Sequence, residues 1–254
     1  MLLAPNPGPM TLDGTRSYVL AAPGAHARGR RPRPDDVAHL VALAAGPRVE
    51  VVLVTHRHAD HTAGGPLRRA HWRAGPRRRS RSLPCRPHSR GRAAARRRDD
   101  PRGRAPDRRP RDPGHTGDST SFHLPDDGPH GSVLTGDTIL GRGTTVIAEP
   151  DGSLRDYLAS LDLLESFGAA TVLPAHGPHL GDLSAVVRAY REHRLSRLAQ
   201  VRAVLAAAGL VGAPVTEVLV DAVTAEVYGD VAPVVLPAAR QSVAAQLRFL
   251  VEDT

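Results

Sequence analysis

The sequence predicts an α+β protein whose C-terminal part is wholly helical. Three observations carry this expectation. Short runs rich in β-branched residues, at 49–54, 132–135 and 170–173, lead into segments of His, Asp, Gly and Pro. Stretches with apolar residues at helical spacing alternate with them. From Leu183 onward the pattern is helical throughout.

In chain order, residues 11–20 (TLDGTRSYVL) are expected to form a first strand pair, and Asp36 to Ala45 a helix that Gly46 ends. VEVVLV at 49–54 is almost wholly apolar and reads as a buried strand delivering Thr55-His56-Arg57-His58-Ala59-Asp60-His61. SVLT at 132–135 is a strand that ends on Gly136-Asp137. Ser153 opens a helix in a capping-box-like SLRD, with Leu154, Leu158, Leu161 and Leu164 at helical spacing and Gly168 closing it. ATVL at 170–173 is a strand that delivers Pro174-Ala175-His176-Gly177. Val187, Tyr190, Leu195, Leu198, Val201 and Leu205 are expected on one face of a long helix ending at Gly209. Two shorter helices follow, near Glu217–Tyr228 and Ala238–Leu250.

The 254 residues suit one large domain, or a domain with a small appendage. One Cys excludes a disulfide framework and a Cys-rich zinc cluster. No apolar run is long enough to span a bilayer, and the start lacks the features of a signal peptide, so a soluble cytoplasmic protein is expected. The net charge of +8 suggests a nucleic-acid binder, but it is unevenly distributed. Every basic residue is Arg. Residues 67–112 hold 18 Arg against 4 Asp, a charge of +14, while the rest of the chain holds 16 Arg against 22 acids, a charge of −6. The basic segment contains no Val, Ile, Phe or Tyr and is a poor source of strands.

Chemistry-bearing residues recur where strands end: His56, His58, Asp60 and His61, then His115, Asp137 and His176. Imidazole and carboxylate suit zinc and similar divalent metals. His56 and His58 are two apart, so an extended backbone points them the same way. A lone histidine is ordinarily a surface or satisfied core residue, and Asp137 alone could be a turn residue. The H-x-H-x-D-H cluster behind an apolar strand is far more specific. Five imidazoles and two carboxylates suffice for two metals, with one carboxylate shared. Ser119, near His115 and Asp118, lacks a nucleophile-elbow context.

THRHADHTAGG, PGHTGDS, LTGDTIL and LPAHGP, in that order, resemble the signatures of the metallo-β-lactamase-fold hydrolases. NPGPMTLDGT and GDTILGRGTTVIAEPDGSLRDYLASLDLL are similar to the β-lactamase-like protein 2 group within them. The resemblance covers residues 5–27, 35–66 and 113–250. It implies a four-layer αββα sandwich over residues 1–182 and a winged-helix-like helical module over 183–254. The β-wing of that module is expected to be absent, which counts against nucleic-acid reading by it. It implies that His56, His58 and His115 hold one metal, that Asp60, His61 and His176 hold a second, and that Asp137 bridges. Two Zn²⁺ are expected, with manganese or iron as other metals that would suit. A hydroxide shared by the metals would be the nucleophile, and Asp60 would also orient it. A bridging Asp, where true β-lactamases of this fold have Cys, points away from β-lactams and toward glyoxalase-II-like and nuclease chemistry. The implied substrates are a small ester or thioester, or single-stranded RNA, with no membrane partner. A non-catalytic binding protein using the C-terminal helices is the third reading, against which the complete ligand set speaks.

Family-like sequence flanks residues 67–112 on both sides, while the segment itself lacks the strands that belong there. An Arg codon CGN followed by another reads, one base later, as Val, Ala, Asp or Gly. Asp99 to Gly114 can be encoded so that this displaced frame reads TIRVDGLRIDVLATP, a strand–turn–strand pattern. Arg28 to Pro34 can likewise become VVVDPG. Both segments are therefore expected to be out-of-frame translation between compensating indels. The competing reading is a basic insertion that binds RNA, although it offers only Trp72 for base stacking. Translated as written, the chain is expected to be poorly stable or to have a gap beside His115.

Overall fold

The computed structural model describes residues 1–20, 28–30, 37–45, 52–62 and 111–252. Of the two segments expected to be out of frame, residues 31–34 and 67–110 lie outside this set. The first strands are short. β1 (Leu2–Leu3) pairs antiparallel with β2 (Arg16–Ser17). β3 (Val19–Leu20) pairs antiparallel with β4 (Arg28–Arg30), which pairs in parallel with β5 (Val52–Leu53). β4 therefore lies in the middle of three strands although its sequence is Arg-Gly-Arg. The helix α1 (Val37–Ala44) falls where the apolar spacing places it, and the buried His39 meets Ser17 Oγ at 3.0 Å. A single turn, α2 (Ala59–Thr62), follows β5.

The second sheet is β6 (Phe122–Leu124), β7 (Ser132–Gly136) and β8 (Thr171–Pro174), in that order. The sequence reading does not include β6, which has only three residues and carries a central His. β7 runs antiparallel to β6 and parallel to β8, so β7 and β8 end at the same edge. A bulge between Leu134 and Gly136 sets the exit of β7. Tyr18, Phe122, Leu134 and Leu173 form one apolar cluster, with Leu20, Leu53 and Leu124 packed against it. This cluster joins the first strands to one face of β6–β8.

The other face of that sheet is covered by α3 (Leu154–Glu165) and α4 (Leu183–Ala207). Val133 and Val172 point into a core with Leu154, Tyr157, Leu161, Leu164, Leu183 and Val187, all nearly inaccessible. Both helices are capped: Ser153 accepts from the Asp156 amide and Asp182 from the Ala185 amide. One position on α4 departs from expectation. Leu195 is 48% exposed, and Arg194, 4% exposed, takes the inward place. Its guanidinium lies over the Tyr157 ring and donates to the Thr145 carbonyl, so it is buried in company rather than alone. The C-terminal half of α4 joins α5 (Glu217–Val227) and α6 (Leu236–Glu252) in a separate cluster of Val201, Leu205, Leu219, Val220, Val223, Val243 and Leu247. No helix among the described residues is long and apolar enough to cross a membrane.

Asp112, where the arginine-rich segment rejoins the ordered chain, is fully buried. Its Oδ2 accepts from Ser121 Oγ at 2.7 Å, while Oδ1 has no partner. Burial pushes its carboxyl up to about 6, against the smaller effects of the Thr138 and Ser121 hydroxyls. The folded state thus holds this proton more tightly than the unfolded chain, and stability falls as pH rises from about 4 to 6. Asp112→Asn is expected to flatten that part of the profile and stabilise the protein at pH 7 by roughly 2 kcal/mol, measured by urea unfolding across pH.

Candidate metal centre

Parallel strand ends deliver the site. Thr55 to His58 leave the end of β5, Asp60 and His61 sit on α2, Asp137 follows β7 and His176 follows β8. His115 comes from the loop after Asp112. All seven residues singled out from the sequence meet here. One ligand atom from each of His56, His58, His115 and Asp137 lies within 4.8 Å of the others, and the same holds for Asp60, His61 and His176. The Nε2 atoms of His56 and His115 lie 2.9 and 3.1 Å from His58 Nδ1. Asp60 Oδ2 lies 3.0 Å from His61 Nε2 and 3.1 Å from His176 Nε2. Asp137 stands between the groups. Its Oδ1 is 3.3 and 3.4 Å from His61 and His176, and its Oδ2 is 4.0 and 3.7 Å from His56 and His115.

Two glycines make this approach feasible. Gly136, just before Asp137, has φ +58°, and a Cβ there would lie 2.7 Å from the Cβ of Thr55. Gly114, just before His115, has φ +137°, and its Cβ would come within 2.3 Å of the Tyr157 backbone. His115, beside which a gap is expected from the sequence, is 8% exposed.

The imidazoles are oriented from behind. His115 Nδ1 donates to the Val146 carbonyl at 2.8 Å and also meets Thr145 Oγ1 at 3.0 Å. His176 Nδ1 donates to the Gly14 carbonyl at 3.2 Å. Each of these leaves Nε2 facing the centre. Thr55 Oγ1 lies 3.3 Å from His56 Nδ1 and 3.4 Å from His61 Nδ1. Thr15 Oγ1 donates to Asp60 Oδ2 at 3.2 Å, and Asn6 brackets Thr15 with two 2.9 Å bonds. Sequence reasoning assigned no role to Asn6, Thr15, Thr55, Thr145 and Arg194. Four of them lie in the family-like motifs, but contacts that span up to 49 positions have no periodic signal to reveal them. Ser119, by contrast, holds a turn through Thr116 and takes no place among the seven.

The electrostatics fit cations at the centre. His61 Nε2 and Asp137 Oδ1 are buried and face each other at 3.3 Å, beside Asp60 and His176. Three imidazole nitrogens, of His56, His58 and His115, converge on one point. Ligands about 2.0–2.1 Å from a tetrahedral zinc lie roughly 3.4 Å apart, within the range of spacings found here. Burial and the neighbouring His61 lower the His56 imidazole to about 2. Burial also opposes charge on His176, but the carboxylates of Asp137 and Asp60 outweigh it and raise the imidazole to about 10. Burial works against ionisation of Asp137 and Asp60 as well. The facing histidines nevertheless hold both carboxyls well below the usual carboxylate range.

The family model of the metallo-beta-lactamase superfamily matches residues 34–176. The chain belongs to that superfamily. As a member it is a metal-dependent hydrolase. It is 28% identical to the beta-lactamase-like protein 2 homolog of Caenorhabditis elegans over 265 aligned residues, covering 99% of this chain and 83% of that protein. It is 31% identical to the lactamase-like protein vrtG of Penicillium aethiopicum, over 91% of this chain and 73% of that one. It is 29% identical to the atrochrysone carboxyl ACP thioesterase of Aspergillus chevalieri, over the same shares of 91% and 73%. A metallo-beta-lactamase family protein from Thermus thermophilus has the same fold, with a TM-score of 0.64 and 19% identity over 99% of this chain and 92% of that one. So does a beta-lactamase domain protein from Burkholderia ambifaria, at 0.67 and 17% over 99% and 86%.

Two outcomes are expected. A cation must displace the proton that Asp60 and Asp137 hold on His176, so metal uptake at pH 7 releases protons and affinity rises with pH. Calorimetry in buffers of different ionisation enthalpy measures that release. Thr15→Val is expected to weaken metal binding at the Asp60 group about 10-fold in a chelator competition, with Thr15→Ser retaining most of it.

Proposed function

We propose that this protein is a dinuclear zinc hydrolase of esters or thioesters, with manganese or iron as alternative metals. The convergence of seven donor groups on one centre carries the reading. His56, His58 and His115 would hold one ion, Asp60, His61 and His176 the other, and Asp137, with one oxygen toward each group, would bridge them. Such a pair supplies Lewis acidity and a water acidified to a pKa of about 7. The chain's own contribution is orientation. Asp60, its Oδ2 fixed by Thr15, aligns the nucleophile. His115 and His176 are locked in the tautomer that turns Nε2 inward. The ester or thioester preference draws on the thioesterase name of the Aspergillus relative and on Asp at position 137. The same reading takes residues 1–182 as a four-layer hydrolase domain in the cytoplasm and 183–254 as a winged-helix-like helical module. The separate cluster of α4, α5 and α6 supports that division.

Two structural features favour a second reading, that of a frame-displaced gene product with impaired activity. Arg-Gly-Arg occupies a central strand, and Asp112 buries an unpartnered oxygen where the displaced frame has Thr. Both are substitutions that a folded sheet and core disfavour. The gene's nucleotide sequence tests it: a β-coding frame one base over is expected at Arg28–Pro34 and before Asp112, and its absence would refute the idea.

The enzymatic reading is tested with a chromogenic thioester and with single-stranded RNA, each with and without zinc. Thioester hydrolysis is expected to need zinc and to fall at least ~100-fold in His58→Ala. RNA cleavage with thioesters inert would transfer the assignment to an endoribonuclease. Activity untouched by His58→Ala would refute the metal mechanism.

A further inference from the structure

The helical C-terminal part holds a cavity that the metal chemistry does not use. α4 ends in a Schellman turn: the Leu210 amide bonds the Leu205 carbonyl at 2.9 Å, the Gly209 amide bonds that of Ala206 at 3.2 Å, and Gly209 has φ +67°. The turn fixes Leu210 above Leu205 and sends the chain out through Val211 before it returns into α5. Beneath this loop lies a cavity of about 360 Å³. Its floor is Leu205, Leu219 and Leu247, all buried in the α4–α5–α6 cluster. Its rim is Leu210, Val211 and Val251, which are 41%, 73% and 46% exposed. Eleven of its twelve lining residues are apolar or Gly, and the twelfth is Arg202.

Arg202 stands out among its neighbours. Of the seven arginines on α4 and α6, Arg188, Arg191, Arg194, Arg197, Arg240 and Arg248 each have a hydrogen-bond or ion-pair partner. Arg202 is exposed and has none among the described residues. An apolar pocket with one uncommitted guanidinium at its mouth calls for a ligand with one anionic end. The volume is that of small-molecule sites, roughly 300–1,000 Å³. A helical partner or a second copy would instead call for a broad apolar face and a buried area above about 1,000 Å². The site is also separate from the metals. Leu205 lies eleven residues beyond Arg194, about 17 Å along α4 from the side chain that supports the loop behind His115.

We propose that this cavity binds a linear carboxylate with an apolar tail. The tail covers Leu205, Leu219 and Leu247, and the carboxylate pairs with Arg202, whose planar fork suits that group. The probe is dodecanoate below its micelle concentration, added to the full-length protein and followed by calorimetry and thermal unfolding. One dodecanoate per chain is expected, with a rise in Tm. Arg202→Gln is expected to weaken dodecanoate about 10-fold and to leave dodecanol unchanged. Ala206→Trp, which fills the cavity from the exposed end of α4, is expected to abolish both. Val211→Glu on the rim provides a second block should the tryptophan disturb α4. Failure of dodecanoate to bind, binding unaffected by both blocking variants, or equal binding to wild type and Arg202→Gln would each overturn the proposal. Concentration-dependent dimerisation lost in Ala206→Trp would overturn it in favour of a second copy of the chain.

Discussion

The constraint on which the rest of the structure depends is the crowding of Asp137 and Asp60 with five imidazoles, all but His58 and Asp60 buried. Without cations, the carboxylates must draw protons onto His61 and His176 to offset their own burial. His56 and His115, with less of that help, are held neutral by desolvation. The site is thus divided electrostatically. His61 and His176 face carboxylates that raise them, while the buried His56 and His115 face His58. That division follows from where Asp60 sits, because it adds a second carboxylate to the His61–His176 side alone.

Holding such a cluster together requires a scaffold that resists its repulsion. The parallel pairing of β7 with β8 places Asp137 and His176 at one edge, and the Gly136 bulge lets Thr55 come within contact of the backbone. Behind the imidazoles, the segment from Leu140 to Val146 crosses from one half of the site to the other. The Gly141 amide bonds the His176 carbonyl, and Thr145 and Val146 meet His115. α4 holds that segment from outside through Tyr190, which accepts from the Leu140 amide and donates to the Gly143 carbonyl, and through Arg194 on Thr145. Arg194 is inward on α4 for this reason. A leucine there would pack but would leave the Thr145 carbonyl without its donor.

What the sequence made legible divides along the same line. The clustering of the seven candidate residues was readable because metal-ligand chemistry calls for particular residue types at strand ends, and H-x-H-x-D-H is specific enough to survive without context. The long helices were readable from spacing and caps. Side chains that support the site were not, since Thr15 reaches Asp60 across 45 positions and Arg194 reaches Thr145 across 49. The two- and three-residue strands β1 and β6 were invisible because so short a stretch has no period to read. The inward place given to Leu195 failed because a buried cation was needed one residue earlier.

The arginine-rich segments change meaning once the geometry is considered. The global charge suggested a nucleic-acid surface, yet among the described residues seven His and Asp donors gather at one centre, with hydrogen bonds from Thr15, Val146 and Gly14 behind them. What the flanks of these segments do show is a mismatch between place and residue type. β4 pairs on both sides as a strand of a metallo-β-lactamase fold should, with a sequence that no strand propensity would select. Asp112 places a carboxyl at a fully buried position. On these two mismatches rests the proposal of a displaced reading frame, which the nucleotide sequence decides.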